Sequence, residues 1–77
     1  MSPRAPRITA SDAIAALKRA GFEVVRERGS HKFMVYPADH SRWATVADHG
    51  KQVLSQMVLH SILKTTGLTM EEFIDLL

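Results

Sequence analysis

The stretch Arg26-Glu27-Arg28-Gly29-Ser30-His31-Lys32 decides how this chain folds. Gly29-Ser30 suits a two-residue hairpin loop, and the runs on either side, Phe22 to Arg28 and His31 to Tyr36, have the valines, aromatics and alternating charge of strands. A two-residue loop fixes the register: Arg28 faces His31, Glu27 faces Lys32 and Arg26 faces Phe33. The opposite charges of Glu27 and Lys32 favour that pairing. Because side chains alternate along a strand, His31 shares one face with Arg28, Arg26 and Phe33, while Val25, Met34 and Tyr36 take the other. The hairpin therefore has a basic face and an apolar one, and the apolar one needs cover.

That cover is legible on both sides. Upstream, Thr9 or Ser11 offers a helix N-cap, Asp12 falls in the first turn, and Ala13, Ile14, Ala16, Leu17 and Ala20 recur at helical spacing until Gly21. Downstream, Pro37 stops the second strand, Ala38 to Ser41 reads as a turn, and Arg42 to Ala47 reads as a third strand ended by Asp48-His49-Gly50. From about Gln52 to Thr66, Val53, Leu54, Met57, Val58, Ile62 and Leu63 form a helical apolar stripe read as core, and Gly67 is placed to cap its end. Thr69 and Glu72 then have the spacing of a capping box that opens a short last helix through Phe73, Ile74 and Leu77. The order predicts an α+β sandwich: three antiparallel strands, helices on one face, the other face open.

The chain has 77 residues, no cysteine and a formal charge of +2, with a pI near 9.4. It is sized for one domain with one core, and we expect residues 1–8, with Pro3, Arg4, Pro6 and Arg7, to be a flexible basic tail ahead of a domain spanning 9–77. The absence of cysteine suits a reducing compartment, and no apolar run approaches the roughly 20 residues needed to span a bilayer, so a cytoplasmic protein with no membrane partner is expected. Most of its lysines and arginines precede Trp43, whereas Glu71, Glu72 and Asp75 follow it, a bias that fits an anionic partner as well as a solvated surface.

His31, His40, His49 and His60 lack the short spacings of zinc motifs, so neither a metal nor another cofactor is expected. His31, beside Arg28 and Lys32 and after the Gly-Ser turn, fits either a general acid or base next to cations that hold a phosphodiester, or a residue that satisfies turn hydrogen bonds. Ser30 has no evident acidic third member to make it a triad nucleophile and fits a turn residue that also binds phosphate. Phe33 and Trp43 fit core packing or base stacking. No glycine-rich phosphate loop or dinucleotide fingerprint is present.

Three blocks carry a resemblance. Gly21-Phe22-Glu23-Val24-Val25-Arg26-Glu27-Arg28-Gly29-Ser30-His31, then Val46-Ala47-Asp48-His49-Gly50-Lys51, then Ile62-Leu63-Lys64-Thr65-Thr66-Gly67-Leu68-Thr69-Met70-Glu71-Glu72-Phe73 resemble the signature blocks of the HicA (YcfA-like) mRNA interferase toxins of type II toxin-antitoxin systems. The resemblance implies a double-stranded-RNA-binding-domain-like α-β-β-β-α fold and a metal-independent endoribonuclease that cleaves mRNA and is neutralised by a HicB antitoxin. It implies that His31 is the catalytic histidine. Arg26, Arg28, Ser30 and Lys32 are then the candidates for binding the substrate, and Lys32 and His49 the candidates for a second acid or base. In the second block Ala47 stands where the family has proline, while His49 keeps its place. The rival expectation is a domain of the same fold that binds RNA or a protein without catalysis.

Overall fold

The computed structural model describes residues 7–77. Its elements run α1 (Ala10–Arg19), β1 (Glu23–Arg28), β2 (His31–Tyr36), β3 (Asp39–Ala47), α2 (Gln56–Thr66) and α3 (Met70–Asp75). The strands form one antiparallel sheet in the order β1-β2-β3, so the central strand is the one that begins at His31. Thr9 caps α1 through a reciprocal box with Asp12, satisfying donors that the first helical turn leaves without partners.

The helices pack on one face of the sheet. Met34, Ala44 and Val46 point into that face and meet Ala13, Ile14, Ala16 and Leu17 of α1 and Leu59 and Ile62 of α2, with Phe22 and Phe73 closing the ends. Fully burying a side chain of this size contributes roughly 1.5–3 kcal/mol, so this cluster holds the layers together. The opposite sheet face is left open, the α+β architecture expected from the order of elements.

The structure corrects the sequence reading in the segments outside the hairpin. Ile8, assigned to the tail, is buried in the core, and its carbonyl accepts a hydrogen bond from the Leu54 N–H at 2.8 Å; residues 1–6 of that expected tail lie outside the described residues. The third strand starts at Asp39, because Asp39 Oδ1 accepts from the Ser41 N–H and hydroxyl and sets the backbone locally after a turn at Pro37-Ala38. Those same bonds hold the Asp39 carboxyl below the usual carboxylate range. The second helix begins at Gln56, since Ser55 is its N-cap and Val53 instead pairs with Thr9 in an isolated bridge. Of the expected apolar stripe only Ile62 is fully buried, whereas Val53 and Val58 are exposed and Met57 is 81% exposed; Leu59, outside that stripe, is the other buried residue that α2 contributes to the apolar core.

Arg42 fastens the far end of the sheet to α2. Its Nε donates to the Thr66 carbonyl at 2.6 Å, one of the orphan acceptors at a helix C-terminus, and its guanidinium lies 4.7 Å from the Tyr36 ring centroid. The chain leaves α2 through Gly67 at φ +77°, a left-handed cap that a side chain would strain. Thr69 and Glu72 then start α3 with a capping box.

Arg42→Met keeps the apolar stem but loses both the charged hydrogen bond and the ring contact, and is expected to cost about 2 kcal/mol; an unchanged urea midpoint would refute this. Hydrogen bonds from Thr69 hold the Glu72 carboxyl below its ordinary range. Its contribution to stability is therefore complete above the unfolded carboxylate range and is lost as pH falls through the lowered folded value. Glu72→Gln is expected to shrink the acid loss of stability in a series of melts at decreasing pH.

Candidate functional site

The hairpin turn has the predicted register. Arg28 pairs with His31, Glu27 with Lys32 and Arg26 with Phe33. Of the two loop residues only Gly29 has positive φ, at +60°, the pattern of a type II′ turn with glycine at its first central position. The Ser30 carbonyl accepts from the Asp48 N–H at 2.6 Å, so the turn is tied to the loop that follows β3.

Beyond Arg26 the register shifts. Val24 pairs with Met34 while Arg26 pairs with the adjacent Phe33, leaving Val25 as the extra residue of a bulge. Alternation counted back from Arg28 puts Val25 on the covered face; the structure puts it on the open one, 58% exposed. Val25, Arg26, Arg28, His31, Phe33 and Thr45 together line an open depression of about 500 Å³. Of these, the sequence reading missed Val25 and Thr45. The signal for Val25 was present, since counting forward from the buried Phe22 makes Val24 the inward residue and counting back from the turn makes it outward. Two counts that disagree require an inserted residue.

His31 stands exposed at the start of β2. The side-chain bonds around the turn run from Lys32 to Glu27 at 2.8 Å and to Asp48 at 3.6 Å, and none ties the His31 imidazole to another described residue. Arg26 and Arg28 are brought to the same depression as His31. Lys32 is not. It alternates with His31, pairs opposite Val46 and points to the other side of the sheet, where its two carboxylate partners raise its pKa, the Glu27 hydrogen bond most of all. Ser30 is half-buried in the turn. His49 lines a separate groove with Ala10, Ala47, Val53 and Val58 at the N-terminal end of α2. Among the described residues, no three histidine, cysteine, aspartate or glutamate side chains converge to hold a metal ion, and no helix is long and apolar enough to cross a membrane.

The structure is a small α+β domain with one sheet face that the helices leave uncovered and with a histidine and two arginines on that face. A family model described as HicA toxin of bacterial toxin-antitoxin matches residues 10–68, from the first helix through the end of the second. The chain belongs to the HicA toxin family, and so is the toxin of a toxin-antitoxin pair, for which an antitoxin partner is implied. Comparison with curated proteins gives no match.

The ion pairs of Lys32 make a direct prediction. A double-mutant cycle of Lys32→Met with Glu27→Gln is expected to give a favourable coupling that weakens with added salt, as it does for exposed pairs. Zero coupling at low ionic strength would show that Lys32 is free to turn elsewhere.

Proposed function

We propose that the chain is an endoribonuclease that cleaves mRNA, with His31 as its general acid or base, and that a HicB antitoxin neutralises it. The observation that carries this reading is the placement of an unengaged imidazole in a depression shared with two guanidinium groups, on the sheet face that no helix covers.

The chemistry asks little of the protein. The substrate brings its own nucleophile, the ribose 2′-hydroxyl next to the scissile phosphate. Removal of its proton lets O2′ attack phosphorus, and the P–O5′ bond breaks as the leaving oxygen takes up a proton. The products are a 2′,3′-cyclic phosphate and a 5′-hydroxyl end. A neutral imidazole can accept the first proton and an imidazolium can donate the second, a contribution of about 10²–10⁴-fold. Arg26 and Arg28 are suited to the phosphate, since guanidinium groups form bidentate hydrogen bonds to phosphate oxygens and offset the charge that develops on them. Ser30 lies in the turn within the same segment and is a further candidate to bind phosphate. Lys32 fits this role less well, being held on the opposite side of the sheet by Glu27 and Asp48.

His31→Ala is expected to lower the cleavage rate of purified RNA at least 100-fold while leaving the thermal melt unchanged, and the wild-type products are expected to carry cyclic phosphate ends. Arg26→Ala and Arg28→Ala are each expected to weaken RNA binding and to reduce the slope of log affinity against log salt by about 0.7, the loss of one single-strand phosphate contact. Cleavage by His31→Ala at the wild-type rate would remove the histidine from the mechanism. Salt-dependent RNA binding with no cleavage by the wild type would leave a binding domain only. Co-expression with the product of a neighbouring antitoxin gene is expected to yield a complex that no longer cleaves RNA.

A further inference from the structure

The depression beside His31 is basic, but one of its walls is aromatic. Phe33 pairs with Thr45 and Trp43 with Val35, so the two rings are diagonal neighbours on adjacent strands, with centroids 5.9 Å apart and planes inclined by 36°. Both lie on the sheet face opposite the core, and Trp43, on the edge strand, also borders α2 across a groove lined by Val58, Ser61 and Thr65. The core on the other face is made by Met34, Ala44 and Val46, and Trp43 remains 37% exposed. Phe33 borders the depression with Arg26, Arg28 and His31, and no carboxylate lines it.

Cations beside a pair of neighbouring aromatic rings select a ligand that is anionic along its backbone and flat and apolar on its faces. Duplex RNA offers the charge but keeps its base faces inside its own stack. A single strand offers both, and exposed aromatics on a β-sheet are a recurrent way of holding unpaired bases. We infer that Phe33 and Trp43 form a stacking platform for unpaired bases, so that the RNA held beside His31 is single-stranded at that point. The inference rests on the proposed function only in taking RNA as the ligand. It also gives the bulge a role: Val25, projected onto the open face, extends the apolar wall beside Phe33.

The sequence contains one tryptophan, so its emission reports on the surroundings of Trp43, the platform and the groove it shares with α2. The test titrates the wild-type protein with a mixed-sequence single-stranded oligoribonucleotide carrying 2′-O-methyl groups, which cannot be cleaved by the 2′-hydroxyl route, and with the same strand annealed to its complement. Quenching of the Trp43 emission by the single strand is expected, with affinity at least tenfold above that for the duplex at the same salt. With binding read from the anisotropy of a fluorophore-labelled single strand, Phe33→Leu and Trp43→Leu, each verified as folded by circular dichroism, are expected to weaken single-strand binding by about 5- to 100-fold, the range for loss of one stacked base, and Trp43→Tyr is expected to retain most of it. Equal affinity for the duplex, an unchanged emission at saturation, or normal binding by both leucine variants would overturn the inference. So would an emission change produced only by an antitoxin protein, with no single strand bound. Quenching by the uncleavable strand without cleavage of unmodified RNA would sustain the platform and sink the nuclease reading; cleavage without any Trp43 response would do the reverse.

Discussion

The two-residue turn at Gly29-Ser30 is the constraint on which the rest depends. It sets Arg28 against His31, and because side chains alternate, a slip of one residue in this pairing would exchange the two faces of β2. Met34 would leave the core and His31 would turn to the covered side, toward the corner that Lys32 now occupies. The buried contacts of Met34 with the helices and the exposure of His31 are thus two results of a single register, which the tie between Ser30 and Asp48 passes on to the end of β3.

Local chemistry in this chain is strongly readable. The Thr69–Glu72 capping box, the Gly67 cap, the hairpin register and the order of elements are all written in short-range patterns, and the structure has each of them. The HicA resemblance is equally legible, because its blocks are continuous stretches that carry the Gly29-Ser30 turn, the Gly67 cap and the Thr69–Glu72 capping box. What escaped was set by distant contacts. Ile8 joins the core because Leu54 and Val53 come to lie beside it, and nothing near Ile8 in sequence announces that. The start of α2 moved to Gln56 for the same reason, since the residues before Ser55 are engaged with the first segment of the chain.

The candidate site divides along the same line. His31, Arg28 and Arg26 could be placed together from the turn alone, and they are together. Lys32 is adjacent to His31 in sequence and on the opposite side in space, so its charge stabilises the corner between Glu27 and Asp48 instead of adding to the depression. Val25 depended on a bulge, where strict alternation fails.

The open face takes almost no part in the core. Arg26 and Arg28 lie exposed on it, away from the helices, and substitutions on such surfaces usually change stability by no more than about 0.5 kcal/mol. The fold is thereby insulated from changes in what its exposed face contacts. Single substitutions of these exposed side chains therefore alter the charge and shape of the face while leaving the folded state intact.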